Sequence, residues 1–478
     1  MENSKKASLL VRGSATLAAC ALALAALGSA TSARAATHSV SNRNDSGPGS
    51  LRQAITDAVA GDTITFSVTG TITLTSGALT ITRNLDIEGP GPNKLKISGN
   101  HASRVFVIQS GTVTLAGITI TRGLADARSP ILASTGGGVL SFASLTLRND
   151  VVSDNAALAD ASPGAFGRPG WGVAGGIASW FGGRLDVAAT QFTGNLARGG
   201  DGCSSSTDQV GVGIGGAIGN MVSATIADSQ FTGNVARGGD GCSGPVPGFG
   251  FGGAIGNAGV LTVTGSAFSH NQAIGGNDNI GPFAGAANSG AIGSGGEPGL
   301  VVALDVSNSS FDHNQAIGGT GGIGYGGGSA YGGAIDVWNG VGQISGCTLE
   351  HNEALGGTGG PGANGGLGAG GGIAVTNAFG FGTSVTVSNS TVEHNNALGG
   401  KGGSGGNGGN GWGGGLYNDP GTTLPLSGAT VSYNFAVGGG TAGQGIGGGV
   451  YHLGTFSFDS RTEIEKNHAS TSNDNLAP

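Results

Sequence analysis

Residues 252–271 read GGAIGNAGVLTVTGSAFSHN, and this stretch decides the architecture. In Leu261-Thr262-Val263-Thr264 the apolar residues alternate with small polar ones, which is the period of a strand and not of a helix. The stretch begins on Gly-Gly-Ala-Ile and closes on Phe268-x-x-Asn271, and both tetrapeptides recur along the chain. Gly-Gly-Ala-Ile stands at 215–218, 252–255 and 332–335, with variants starting at Gly136, Ala174, Ser289, Gly370, Gly413 and Gly447. Phe-x-x-Asn, or the same motif led by another apolar residue, ends at Asn155, Asn195, Asn234, Asn271, Asn314, Asn352, Asn395, Asn434 and Asn467. The asparagines are 33 to 43 residues apart, a period that marks a repeat architecture.

Each repeat holds about three short alternating runs, separated by turns of Gly, Ser and Asn. Three strands per coil, each coil stacked in parallel on the next, make a right-handed parallel β-helix, an all-β solenoid of about twelve coils. One asparagine then falls at the same place in every coil, and stacked side-chain amides hydrogen-bond along the axis. An asparagine ladder is therefore expected. Residues 62–130 carry short Thr/Ile-rich strands without the glycine motif and form the first coils, and residues 131–469 form the repeats.

Composition agrees. Glycine supplies 103 of 478 residues, roughly three times ordinary usage, and opposes a helical globule. Much of it sits in loops such as Gly399-Gly400-Lys401-Gly402-Gly403-Ser404-Gly405-Gly406-Asn407. These are either flexible or stacked side by side in an extended threefold conformation. Ser50 with Gln53 is a capping box, which predicts a helix over 50–60. Its face of Leu51, Ala54, Ile55, Ala58 and Val59 would cover the N-terminal end of the core within a cap spanning 36–61, and Gly61 would stop it. The tail 470–478 is polar and expected to fray.

The first residues read as an export signal. Lys5, Lys6 and Arg12 precede an apolar run over 15–27, and Ala33-Arg34-Ala35 is a cleavage site. Cleavage after Ala35 would remove four basic residues and one acidic one, taking the net charge from −8 to −11. Lipid attachment at Cys20 is the alternative. The protein is thus expected to be secreted or held at a bacterial cell surface, without nucleic-acid partners and as a monomer. Cys203 and Cys242 lie at equivalent places in two RGGDGC repeats, which allows either a disulfide or two free thiols. Cys347 reads as a small buried thiol.

The paired tetrapeptides over 136–467 resemble the repeats of polymorphic outer-membrane proteins, which are bacterial surface β-helix adhesins. The stretch Asn44-Asp45-Ser46-Gly47-Pro48-Gly49-Ser50-Leu51-Arg52-Gln53-Ala54-Ile55, followed by Gly61-Asp62-Thr63-Ile64, resembles the start of large exported β-helix proteins of the pectin-lyase-like superfamily. The resemblance implies the fold and leaves the activity open, because this fold serves lyases, hydrolases, epimerases and adhesins alike. Polymorphic outer-membrane proteins carry a C-terminal membrane barrel. Eleven residues follow Asn467 here, so self-encoded barrel anchoring is not expected.

Catalytic residues are not evident. Between Arg237 and Arg461 the only Lys or Arg is Lys401, so a lyase centre would need Arg83, Arg104, Arg122, Arg148, Arg184, Arg198 or Arg237. Any enzymatic groove would then lie over 104–200. Asp312, Glu350 and Glu393 share one repeat position, and His270, His313, His351 and His394 share the next. They are weak candidates for calcium or a transition metal, with a solvated acidic face and a polar turn column as the alternatives, and no cofactor is expected. Asp201 and Asp240 either bind calcium or pair with Arg198 and Arg237. Trp171, Trp180, Trp338 and Trp412 are too scattered in sequence to define a sugar platform. The expected function is a non-catalytic surface or extracellular protein for adhesion, matrix formation or glycan binding. The alternative is a polysaccharide-active lyase or glycoside hydrolase.

Overall fold

The computed structural model describes residues 35–478 except 165–166, 181, 297–298, 378–379 and 381. Residues 1–34, which hold Cys20 and all of the expected export signal but Ala35, lie outside the described residues. From Thr37 onward the chain is one compact unit.

That unit is a parallel β-helix. Five parallel sheets of 13, 12, 12, 10 and 8 strands run along it among the described residues. The Leu-x-Val run forms the longest sheet, from Thr37–Val40 to Thr455–Phe458. The Gly-Gly-Ala-Ile and Phe runs form the sheets of 12, which matches the expected coil number. Three strands per coil was too few. After each ladder asparagine a triplet such as Val235–Arg237 pairs again, and a two-residue strand such as Gly250–Phe251 follows from the loop. The triplet buries its central alanine, and that burial stabilises the extra strand.

Register is fixed by the core. Ile255 pairs with Ile292, and Phe231 with Phe268. Phe192, Phe231, Phe268 and Phe311 stack face to face at 4.6 to 4.8 Å, the spacing between strands. At the turn after each Phe strand, the ladder amides stack from Asn155 to Asn467, each Nδ2 donating to the next Oδ1 at 2.9 to 3.0 Å. The same oxygen accepts the preceding asparagine's backbone N–H, and Nδ2 also donates to a carbonyl, as Asn314 does to Phe268. Every polar atom of the buried amide is used, and removing one amide would strand two donors at about 1–3 kcal/mol each. A second ladder of Thr190, Ser229, Ser266 and Ser309 caps the neighbouring turn, and Cys347 occupies the next place in it.

Two sequence expectations, the helix bounds and the fraying tail, are corrected, and one left open, the state of the glycine loops, is decided. The helix α1 spans Leu51–Asp57 and ends before Gly61, because Ala58 is already extended; Val59 is 52% exposed and takes no part in the buried face. Ser50 does cap it, accepting the Gln53 N–H. The tail does not fray: Leu476–Ala477 pairs with Val450–His452, and Asn475 accepts both N–H groups of Asn467, extending the ladder by one amide. The glycine loops are stacked. A chain of backbone hydrogen bonds runs from Gly439 through Gly409, Gly400, Gly366, Gly357, Gly328 and Gly319 to Gly285, at 2.8 to 2.9 Å. No helix among the described residues is long and apolar enough to cross a membrane.

Candidate functional site: an aromatic cleft

In Gly-Gly-Ala-Ile the first glycine turns left-handed, as Gly252 does at φ 63°, and the isoleucine enters the core. The residue after the isoleucine then faces the loops. Register places Leu140, Ala178, Gly219, Gly256, Gly293, Asp336, Ala374, Tyr417 and Tyr451 in this outward column. Three consecutive glycines let side chains of the covering loops pack directly on the sheet. Side chains on them would collide: a Cβ at Gly293 meets the Phe251 ring, and one at Gly256 meets Ile214.

Between sheet and loops, with Gly256 in its lining, lies a cleft of about 200 Å³. Phe249, Phe251 and Trp338 line it as a connected group, with ring centroids 5.8 to 6.5 Å apart. Trp171 lines it too, its Nε1 donating to Gln209 O at 2.9 Å and the Arg168 guanidinium lying 4.8 Å from its ring. Ile214, Met221 and Leu300 add apolar wall, and Arg168 and Gln209 add polar residues; the Asn257 amide is buried and committed to Asn220, Gly259 and Ser294. Arg168 is the one ionisable side chain among the described lining residues.

One coil further along the column, Asp336 is fully buried. It accepts from Asn288 Nδ2 at 2.6 Å and Thr376 Oγ1 at 3.0 Å. Burial pushes its carboxyl up to about 7 despite those two bonds. The next coils bring Tyr331, Tyr417, Tyr451 and Trp412 together, with Tyr417 donating to Asp419 Oδ1 at 2.8 Å. Burial, followed by the nearby Asp419 charge, raises the Tyr331 hydroxyl to about 12.

One sequence expectation is corrected in part: Trp171 and Trp338, far apart in sequence, line one cleft, whereas Trp180 and Trp412 are not in its lining. The cleft draws its lining from residues 168–338. The glycine column, regular in sequence, was the signal for it. Arg104 is no candidate base: it is buried, donates to the carbonyls of Thr135 and Leu132, and burial lowers it to about 10. Arg184, Arg198 and Arg237 are paired with Asp186, Asp201 and Asp240, and Arg83 donates to Ala58 O. Asp201 and Asp240 thus face arginines, and their carboxylates also accept the Asp240 and Asn277 N–H groups.

Cys203 and Cys242 are free, buried thiols in the structure. Both sulfurs lie against Gly200 O, at 3.2 and 3.3 Å, and Cys242 Sγ accepts the Cys203 N–H. The contact with Cys242 and burial together push the Cys203 thiol up. Cys347 is free and buried. The imidazoles of His270, His313, His351 and His394 form a stack at 4.8 to 5.3 Å that continues onto Tyr433. Beside it, Asp312, Glu350 and Glu393 align in register.

No protein-family model and no curated protein sequence matches this chain. Solved structures similar to it include the A-module of a mannuronan C-5 epimerase from Azotobacter vinelandii, with 11% identity and a TM-score of 0.34, covering 92% of this chain and 99% of that one. A mannuronic acid-specific polysaccharide family 6 lyase from human gut microbiota has 10% identity and a TM-score of 0.33, over 89% and 83% of the two chains. A polygalacturonase from Erwinia carotovora ssp. carotovora has 10% identity and a TM-score of 0.33, over 94% and 100%. At these identities the likeness assigns neither substrate nor chemistry to this chain.

Proposed function

We propose that this is an exported β-helical protein that holds a glycan in the aromatic cleft without cleaving it. The observation that carries the reading is the cleft itself: Trp338, Phe249 and Phe251 on apolar walls, with Arg168 and Gln209 among them. Sugar rings present apolar C–H faces to aromatic rings and hydroxyls to polar edges, and this lining matches both demands. The basic start, apolar run and Ala-Arg-Ala site over 1–35 support export.

The test is titration of the purified protein with a panel of neutral and uronate oligosaccharides, followed by tryptophan fluorescence and calorimetry. Saturable binding that Trp338→Ala weakens at least tenfold is the expected result. Binding that ignores this change would overturn the proposal. A second reading, a polysaccharide-active enzyme, rests on Asp336, whose carboxyl keeps a proton near neutral pH one coil from the cleft. New reducing or unsaturated ends that vanish in Asp336→Asn would establish that reading and displace the first.

A further inference from the structure

We propose that Asp312, His313 and His351 form a surface site for a divalent transition-metal ion, independent of the cleft. The carboxylate Oδ1 of Asp312 lies 2.7 Å from His313 Nδ1 and 3.4 Å from His351 Nδ1. All three ligand atoms lie within 4.8 Å of one another. With metal–ligand bonds of about 2.0–2.1 Å, neighbouring donors in a tetrahedral or octahedral shell sit about 3.0–3.4 Å apart, and opposite ones about 4.2 Å. The two measured carboxylate–imidazole separations match or fall just short of the first range. Since His313 and His351 stack face to face at 4.8 Å, their rings must turn toward each other for both nitrogens to reach one ion.

The backbone beneath is fixed before any ion arrives. His313 and His351 hold left-handed turns at φ 54° and 53°, each directly before a buried ladder asparagine. Asn314 and Asn352 tie those turns together through two hydrogen bonds, at 2.9 and 3.0 Å. With the turns already fixed, binding has only the side chains left to order. Two imidazoles and one carboxylate suit Zn²⁺, Ni²⁺ or Cu²⁺, whereas calcium prefers an all-oxygen shell. Three protein donors leave the rest of the shell to solvent, since Asp312, His313 and His351 are each about half exposed.

The experiment uses the full chain stripped with chelator and then titrated with Zn²⁺, Ni²⁺ and Cu²⁺ by calorimetry, with the Cu²⁺ form read by electron paramagnetic resonance. One ion per chain and nitrogen hyperfine structure are expected. His351→Asn, which suits a left-handed turn, and Asp312→Asn should each weaken binding at least tenfold with an unchanged thermal transition. His101→Gln should leave binding unaltered. Absence of saturable uptake at millimolar ion, or uptake undiminished in both site variants, would overturn the proposal.

Discussion

Asp336 stands where the three preceding coils place glycine, and it carries the sharpest pH consequence at the scale of one residue. Its folded carboxyl is raised to about 7 from an ordinary 3.8. The folded state therefore holds a proton that the unfolded chain releases. Stability is full below the unfolded value and falls as pH rises from about 4 to about 7, then levels once both states are ionised. Asp336→Asn removes this dependence while keeping an acceptor for Asn288. Between pH 5 and pH 7 the variant's stability advantage over the parent should grow by about 1.4 kcal/mol for each step of one in pH, and should then level off. Urea midpoints at pH 5 and pH 7.5 measure it, and a constant difference would refute the argument. Asp150, which burial raises to about 8, is unchanged between the two proteins and cancels.

Among the elements, the strands were legible in the sequence and the loops were not, for one physical reason. Ile255, Leu261, Val263 and Phe268 enter the core once per coil, so burial writes its period into the sequence. Stacked loops are joined mainly by backbone groups, with a few side-chain acceptors such as Asn277 and Asn364, and glycine leaves little side-chain pattern to read. Space rather than dihedral freedom demands the glycine at Gly366. Its N–H donates to Gly357 O, and an added Cβ would overlap the Gly328 carbonyl oxygen. Gly366→Ala should part neighbouring loops. Amides of Gly357, Gly366 and Gly400 should be slow to exchange in the parent and at least tenfold faster in the variant, by NMR or mass spectrometry, while the Phe-strand amides hold. Equal loop exchange in the two proteins would contradict the stacking. The cleft was hidden for a related reason: Trp171 and Trp338 are far apart in sequence and share a cleft only through the way the loops fold over the sheet, where Gly256 is part of the lining. The shared repeat positions of Asp312, His313 and His351 were legible, because coil register converts equal spacing into proximity. The tail's Asn475 was readable in principle as one more ladder amide, but its position eight residues after Asn467 breaks the period.

At the scale of the whole described unit, each coil touches only the coils beside it, so cooperativity is transmitted from neighbour to neighbour. An internal coil is supported on both faces and an end coil on one. The two ends differ. Near the start, α1 places Leu51, Ala54 and Ile55 in the main core beside Thr37–Val40 and Leu79–Ile81. At the other end, Thr455–Phe458 and Glu463–Glu465 hold no buried residue, and Phe458 is 51% exposed. Like-charged Glu463 and Glu465 flank the half-buried Ile464 there. Less apolar area leaves water in that coil, and each missing 100 Å² forgoes about 2.5 kcal/mol. The C-terminal coil should therefore open first. Under native conditions, amide protection should be lowest over 455–478 and should climb to a plateau through the coils of Phe192, Phe231, Phe268 and Phe311. In rising urea the protected zone should shrink from the C-terminal side while far-UV circular dichroism falls gradually. A single exchange rate for all core amides, reached at one denaturant concentration, would instead mean that the solenoid unfolds as one block and that its ends are equally supported.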